Sequence, residues 1–295
     1  MKRRRILLAA LALLALAAVA AFALWRGALA KRENARRIAA RANMYRSMGI
    51  FAPGTEEFVA LPPETPHRPA AASLGMKLFA DRRIAQSSKR ACVSCHPPGR
   101  GGADDKVHGG LLTRSVQNAA FASCYMHDGS VASLAAAIER MAESPAFGAC
   151  PLSEAVARLS RDQALSEQFA AVYKTGISAS NIVDAIEQHL RARVTPSGAF
   201  DRHLSGKPGA FAAAQTRGFA VFKAAGCVQC HGGPALGGRA VHAGKKVPAL
   251  RGLARRSVFL QDGSATDVPT ALMRMPVADL SDDDRSALVS FLEAL

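Results

Sequence analysis

The chain contains 295 residues and carries a formal net charge of +15 at pH 7, and its length suggests two domains of ordinary size, each with its own core. Eleven of the 38 Lys and Arg residues lie within residues 1–46, which hold a single acidic residue, Glu33. The basic residues are not interleaved with aromatic residues, so the composition argues against a protein that binds single-stranded nucleic acid.

The first thirty residues are predicted to be a targeting segment. Four basic residues at positions 2–5 precede an apolar run from Ile6 to Trp25. A run of roughly 20 apolar residues can span a bilayer, whereas the Ala-Leu-Ala sequence at 28–30 fits the cleavage site of a signal peptide. We therefore expect a periplasmic protein, either tethered to the inner membrane by residues 6–25 or released as a soluble protein after cleavage.

A basic helix and a proline-rich linker are expected at residues 31–69. Basic residues directly after an apolar segment are typical of a helix that lies against anionic lipid headgroups. Residues 54–69 contain four prolines, which predicts a linker between this helix and the first folded domain.

Two copies of a Cys-x-x-Cys-His motif follow, CVSCH at 92–96 and CVQCH at 227–231. This motif is typical of covalent haem attachment, in which both thiols bond to the haem and the histidine binds the iron. A zinc site needs four ligands, whereas each copy offers three, and a redox-active Cys pair would not explain the histidine. The sequence therefore predicts two covalently bound haems c, held by Cys92, Cys95, His96, Cys227, Cys230 and His231.

The sequence around the two motifs is duplicated. Residues Gly75–Phe79 before the first motif correspond to Gly218–Phe222 before the second, and MHDGSVASLAAAIERM at 126–141 corresponds to LQDGSATDVPTALMRM at 260–275. Both halves end in an amphipathic helix with apolar residues at i, i+3, i+4 and i+7, and Ser281 predicts the start of the second one.

We therefore predict an all-α fold, in which two tandem cytochrome c-like domains follow an N-terminal apolar helix. The predicted domains are residues 70–207 and 208–295, joined by a link that contains Gly and Pro near residues 205–209. The glycines and prolines that follow each Cys-x-x-Cys-His motif predict loops around the haem edge.

Over about residues 70–295 the chain resembles the bacterial dihaem cytochrome c peroxidases and their relative, the methylamine-utilisation dihaem oxygenase. The segments that carry this resemblance are LGMKLFADRRI before the first haem motif, CVSCH, NAAF at 118–121, DGSVASL at 128–134, TPSGAFDRHLSG at 195–206, GCVQCHGGPALGG, VPALRG at 247–252 and the C-terminal helix.

The resemblance implies different roles for the two haems. The first would be the peroxide site, where His96 binds the iron and His108 is a second ligand that leaves when the protein is half-reduced. The second would receive electrons and take Met275 as its second ligand, which suits a haem of higher potential. Met273 and His242 are the alternatives to Met275. The implied catalytic residues are His96 and His108, and the implied iron ligands are His96, His108, His231 and Met275.

The chain departs from the family pattern at three positions. The family carries a Trp between the haems, where this chain has His127 as a relay or a structural residue. The family's acid in the peroxide pocket corresponds to Phe147, which leaves Glu143 or Glu139 as the alternative acid. The Asn that helps to bind an interdomain calcium in the family corresponds to Leu112, which argues against calcium.

Two functions stay open at this point. The first is an enzyme that reduces hydrogen peroxide to water with electrons from a small cytochrome c or a membrane-bound donor. The second is a dihaem protein that only transfers electrons, or that oxidises a partner as the methylamine-utilisation oxygenase does. The resemblance also implies a homodimer.

The remaining cysteines and histidines have less specific predictions. An oxidising compartment would permit a disulfide between Cys124 and Cys150, and two separate free thiols are the alternative. We expect His67, His189 and His203 to be surface or ordinary hydrogen-bonding residues.

Overall fold

A computed structural model of the chain describes residues 16–26, 28–29, 58–86, 89–144, 150–195, 198–237, 241–275 and 280–295, except for the side chain of Gln229. Residues 16–26 and 28–29 are helical and exposed. Within these ranges, no helix is long and apolar enough to cross a membrane. The rest of the targeting segment and the basic helix expected after residue 31 lie outside the described residues, so both stay predictions.

The first half of the chain is mainly helical. Its α-helices are α1 (Pro69–Ala80), α2 (Cys92–Cys95), α3 (Leu134–Ala142), α4 (Leu152–Leu159), α5 (Gln163–Val172), α6 (Ala179–Ala192) and α7 (Ala199–Leu204). Two short strands, β1 (Val107–His108) and β2 (Leu111–Leu112), form an antiparallel hairpin.

The second half repeats this arrangement with fewer helices. Its α-helices are α8 (Ala213–Ala224), α9 (Val268–Leu272) and α10 (Asp282–Leu292), and its strands are β3 (Val241–His242) and β4 (Lys245–Lys246). The strands β3 and β4 pair as an antiparallel hairpin at the position equivalent to β1 and β2. The prediction of two mainly helical cytochrome c-type domains is confirmed, and the two hairpins are features that the sequence patterns did not predict.

Side-chain caps start several of the helices. The hydroxyl of Ser281 accepts a hydrogen bond from the backbone N–H of Asp284 at the start of α10, which confirms the predicted helix start. Ser133, Asp162 and Ser178 cap α3, α5 and α6 in the same way. A cap satisfies one of the backbone N–H groups that the first turn leaves without a partner.

Each half is held together by a close crossing of two of its longest helices. In the first half, a Cβ on Gly75 of α1 would overlap the carbonyl of Ala185 in α6 and would meet the Cβ of His189. In the second half, a Cβ on Gly218 of α8 would overlap the carbonyl of Ala287 in α10. Only a glycine lets the two backbones approach so closely, and the same device in both halves supports a duplicated domain.

The two helix crossings lie at the centres of two separate hydrophobic cores. The first core includes Leu78, Phe79, Phe169 and Ile182, all at most 5% exposed. The second core is rich in aromatic residues, with Phe200, Phe219, Phe222 and Phe291 in mutual ring contact.

The two halves pack through equivalent loops. The backbone N–H of Leu112 in β2 donates to the carbonyl of Gln261, at 2.8 Å. The N–H of Lys246 in β4, which is equivalent to Leu112, donates to the carbonyl of His127 at the same distance. His127 and Gln261 are themselves equivalent in the duplicated sequence. The interface is therefore pseudo-symmetric, with the hairpin of each half bonded to a loop of the other.

A buried ion pair adds to this interface. The Nε of Arg256 lies 2.7 Å from the Oδ1 of Asp105, and the two side chains are 15% and 7% exposed. The backbone and hydroxyl of Ser257 donate to the other carboxylate oxygen of Asp105. Because removal of one partner would leave a buried charge unpaired, this contact fixes how the halves sit together.

Part of the predicted proline-rich linker is an integral strap. The ring of Phe58 packs against Phe219 of the second core. The N–H of Leu61 donates to Asp201, and the carbonyl of Val59 accepts from Arg251, which forms a buried ion pair with Asp201. Residues 58–61 therefore bind the second half before α1 enters the first half.

The structure forms no disulfide between Cys124 and Cys150, which are both buried, and this corrects the expectation of a disulfide between them. The Sγ of Cys150 lies 3.7 Å from the carbonyl of Arg83 in the first core. Burial raises the pKa of Cys124, which lies near the cationic side chains of Lys246 and Arg114 at the domain interface.

Candidate functional site

The first haem motif forms the short helix α2, and His96 follows directly after it. The N–H of His96 donates to the carbonyl of Cys92, which places Cys92, Cys95 and His96 around a single turn. The Nδ1 of His96 lies 3.0 Å from the carbonyl of Gly102. A carbonyl only accepts, so Nδ1 carries the proton and Nε2 keeps its lone pair for a metal.

The second motif has the same arrangement. The N–H of His231 donates to the carbonyl of Cys227, and the Nδ1 of His231 lies 3.2 Å from the carbonyl of Leu236. Burial lowers the pKa of both His96 and His231, so the imidazoles are neutral at pH 7. A neutral imidazole with a fixed tautomer is the form that binds iron.

The four motif cysteines suit covalent attachment. Cys92, Cys95, Cys227 and Cys230 are partly buried and are not in disulfides. Burial raises the pKa of Cys92 to about 12, which disfavours a reactive thiolate and argues against a redox-active Cys pair. Two thiols beside one nitrogen ligand, in each half, are the donor set that a haem c needs, so the residues present fit the cofactor.

His108 lies at the first motif rather than on the open surface. It belongs to β1, and its Nε2 is 2.9 Å from the Oδ2 of Asp104. The ligand atoms of Cys95, Asp104 and His108 all lie within 4.8 Å of one another. His108 therefore lies close to a cysteine of the first haem motif, and its assignment as a second iron ligand stays a prediction.

Asp104 is a functional candidate that the sequence analysis missed. Burial by itself would raise the pKa of Asp104, but hydrogen bonds from His108, Thr113 and Lys106 hold it below the usual range. The carboxylate is therefore ionised beside His108 at pH 7. The four-residue spacing between Asp104 and His108 was the available signal, but in a loop such spacing does not place two side chains together.

The candidate ligands of the second haem differ in exposure. Met275 is 37% exposed and Met273 is 67% exposed, and both follow α9. His242, the equivalent of His108, is exposed in β3. The lower exposure of Met275 favours it over Met273, and its assignment as the ligand stays a prediction.

The residues at which the chain departs from the family pattern lie in different parts of the structure. The Nε2 of His127 donates to the carbonyl of Leu112 at 2.9 Å, so His127 is built into the domain interface. Glu139 and Glu143 are both exposed, and Glu143 accepts a hydrogen bond from the N–H of Leu152. Phe147 lies outside the described residues. Neither glutamate is therefore placed as a buried acid, whereas Asp104 is.

The three remaining histidines are partly buried. Burial lowers the pKa of His189 to about 4, and its ring packs 5.2 Å from that of Phe79. The ring of His203 stacks on Phe211 at 4.4 Å. The Nδ1 of His67 lies 2.8 Å from the carbonyl of Thr65. These contacts are structural ones within the fold.

Comparison with known proteins gives a consistent result. The cytochrome c peroxidase Ccp of Escherichia coli K12 is 28% identical, with 92% of this chain and 69% of that protein aligned. The cytochrome c551 peroxidase of Nitrosomonas europaea is 27% identical, with 85% and 87% aligned. The crystal structure of a MauG-like protein associated with microbial copper homeostasis has a TM-score of 0.68 at 18% identity, with 83% of this chain and 94% of that one covered.

Two family models match successive parts of the chain. The model for di-haem cytochrome c peroxidase matches residues 69–209, and the model for cytochrome c matches residues 215–295. Both families carry haem c, which accounts for the two motifs and their histidines. Residues 69–209 therefore match the di-haem cytochrome c peroxidase family and residues 215–295 match the cytochrome c family, and the chain carries two covalently bound haems c.

Proposed function

We propose that this protein reduces hydrogen peroxide to water with electrons from a cytochrome donor. The family match and the names of its relatives support an oxidoreductase of this type. The observation that carries the proposal is the position of His108, because its Nε2 has an alternative partner in Asp104 beside the first haem motif. A histidine that can exchange between two partners suits a site that must open for its substrate.

The haems would supply the iron and pass on the donor's electrons, and the residues of the chain make the two sites unequal. His96 and His231 present Nε2 in the same way in both halves. In the first half His108 lies beside a buried carboxylate, whereas the equivalent His242 is exposed. We assign His108 as the exchangeable ligand of the first site and Met275 as the permanent ligand of the second.

Asp104 takes the place of the missing acid in this proposal. Its side chain is 10% exposed, and it accepts hydrogen bonds from His108 and from the backbone N–H of Lys106. When His108 moves away from iron, the carboxylate can receive it and hold a proton between the two groups. A positioned acid–base group typically contributes about 10²–10⁴-fold to a rate.

The location of the protein is part of the proposal. Covalent haem and the apolar segment of residues 6–25 support export to the periplasm, with the segment as a tether to the inner membrane. The strap of residues 58–61 attaches the N-terminal segment to the second half, which holds the proposed electron inlet. A tether on that side suits a membrane-bound donor as well as a small cytochrome c.

The direct test is peroxide turnover by the haem-loaded protein, reduced by one electron in advance, with reduced cytochrome c as donor. His108→Ala should leave the site open and remove any need for reductive activation. His242→Ala, at the equivalent position of the second half, is the matched control and should keep that need. A protein that consumes no peroxide in either form would overturn the proposal.

A second candidate is a protein that only transfers electrons or that oxidises a protein partner. The replacement of the family's Trp by His127 and of its acid by Phe147 favours it, and so does the fold likeness to a MauG-like protein. In that case the same experiment would give two intact haem spectra without turnover of peroxide.

A further inference from the structure

Two arginines beside the first haem motif have buried guanidinium nitrogens without a hydrogen-bond acceptor. They are the Nε and Nη2 of Arg193 and the Nε of Arg114. Within the described ranges, neither arginine takes part in an ion pair with a carboxylate. A buried N–H donor without an acceptor is unfavourable, so each of these two groups indicates an acceptor that the described residues do not supply.

Arg193 is close to the first haem motif. It follows the end of α6, and its guanidinium carbon lies 5.9 Å from the centroid of the Phe79 ring. The same ring lies 6.3 Å from the ring of His96. Arg193 therefore points toward the side of the fold where the haem is attached, rather than along the exposed surface of α6.

Arg114 approaches the same histidine from another segment. The carbonyl of Gly102 accepts from the Nδ1 of His96 and also from the N–H of Val116. Arg114 is two residues before Val116, and its Nη2 donates to the carbonyl of Lys246 in the second half, at 3.0 Å. The Nε of Arg114 has no hydrogen-bond acceptor among the described residues.

Asn118 joins the loop that follows Arg114 to the chain that follows α6. Its N–H donates to the carbonyl of Arg193 at 3.0 Å, and its amide side chain bonds to both the N–H and the hydroxyl of Thr195. Asn118 is 2% exposed and has a φ of 57°, in the left-handed region that Asn tolerates. The loop after Arg114 and the chain after α6 are therefore a single rigid unit beside His96.

The chemistry of the two groups points to a carboxylate. A guanidinium presents a planar fork of donors that matches a carboxylate, and such charge-assisted pairs are the strong ones. A haem c carries two propionate carboxylates, and its attachment at Cys92 and Cys95 would place the ring beside His96, the histidine near which both arginines lie. We propose that Arg193 and Arg114 bind the propionates of the first haem and raise its reduction potential.

This inference rests on the haem and not on peroxide reduction, so its test uses the resting protein without peroxide. The variants are Arg193→Ala, Arg193→Lys and Arg191→Ala. Arg191 is the matched control, because it lies two residues before Arg193, in the last turn of α6, and pairs with Glu187 at 2.7 Å. The readouts are the reduction potential of each haem from pH 5 to 8 and the propionate bending mode in the resonance Raman spectrum.

Arg193→Ala should lower the equilibrium constant for reduction of the first haem about tenfold. This change corresponds to a reduction potential that is lower by about 59 mV for one electron. It should also make that potential depend on pH, because a propionate without its arginine takes up a proton more easily. Arg193→Lys keeps the charge but loses the fork, so the bending mode should shift while the potential changes less. Arg191→Ala should match the wild type in both readouts.

A bending mode that is the same in wild type and in Arg193→Lys would overturn the propionate contact. An unchanged potential in Arg193→Ala would overturn its effect on the haem. If Arg193→Ala does not incorporate haem, the Raman comparison of Arg193→Lys with wild type decides the matter. Arg114→Lys, read in the same way, tests the second arginine.

Discussion

The Nε2 of His108 lies 2.9 Å from the Oδ2 of Asp104, beside the thiol of Cys95. The atom that would bind iron is therefore the atom that the carboxylate holds. A bond from this Nε2 to iron would exclude the contact with Asp104, so in the proposed mechanism Asp104 is the resting place of the released His108. The equivalent His242 is exposed in β3, which limits this arrangement to the first half.

Asp104→Asn should weaken the resting place of His108. Asparagine keeps the size and the oxygen that Lys106 bonds to, but its bond to His108 is not charge-assisted. A loss of about 1 kcal/mol would shift the equilibrium of His108 between Asp104 and the iron about fivefold toward the iron. The fraction of first-site haem that is high-spin in the half-reduced protein should fall accordingly. An unchanged fraction would show that Asp104 does not hold the released histidine.

Met275→Ala should change the second haem alone. If Met275 is the permanent ligand, its removal abolishes the weak far-red absorption that a ferric His/Met haem shows, and it lowers the potential of that haem. Met273→Ala is the matched control, because Met273 is more exposed, at 67% against 37%. Loss of the band in Met273→Ala and not in Met275→Ala would move the ligand by two residues.

Gly75→Ala should disrupt the helix crossing of the first half. The added methyl would overlap the carbonyl of Ala185, so α1 and α6 must separate, at a cost of about 2–4 kcal/mol. Gly99→Ala is the control, since nothing lies within 4 Å of its Cβ position. Chemical denaturation of the haem-loaded protein measures the free energy of unfolding of both variants. Equal stability of the two variants would contradict the crossing.

His189→Phe should make the protein less sensitive to acid. Burial, assisted by Arg193, lowers the pKa of His189 from 6.5 to about 4. The unfolded chain therefore binds this proton at a higher pH than the folded chain does, and stability falls as the pH drops from 6.5 to 4. The full shift is worth about 3 kcal/mol, and partial exposure reduces it to about 1–2 kcal/mol.

Phenylalanine suits this position, because the equivalent residue in the second half is Phe291. Melting temperatures of wild type and His189→Phe should converge above pH 6.5 and diverge below it. His242→Gln removes an exposed imidazole, and its melting temperature should depend on pH as that of the wild type does. A variant that lost stability in parallel with the wild type from pH 6.5 to 4 would contradict the assignment to His189.

The fold could be predicted where its determinants repeat along the chain. The duplicated segments predicted two cytochrome c-like domains, and the apolar periodicity with Ser281 predicted the last helix. Local patterns such as caps and amphipathic faces depend on residues a few positions apart, so a single sequence displays them.

The interface could not be predicted in this way. The bonds of Leu112 to Gln261 and of Lys246 to His127 join residues more than 100 positions apart through backbone groups, which every sequence contains. The strap at Phe58 was predicted as a linker because its prolines suggest an extended chain and do not reveal what it packs against. Asp104 was missed because it lies in a loop, where the sequence does not reveal that its side chain contacts His108.

The measurement that tests the central claim most directly is the spin state of the two haems as the protein is reduced by one electron. Absorption and electron paramagnetic resonance spectra at each point of the titration report the ligands of each haem. The account predicts that the first haem becomes five-coordinate and high-spin as His108 leaves, while the second stays low-spin with its methionine. Two haems that both remain six-coordinate and low-spin in the half-reduced protein would contradict it.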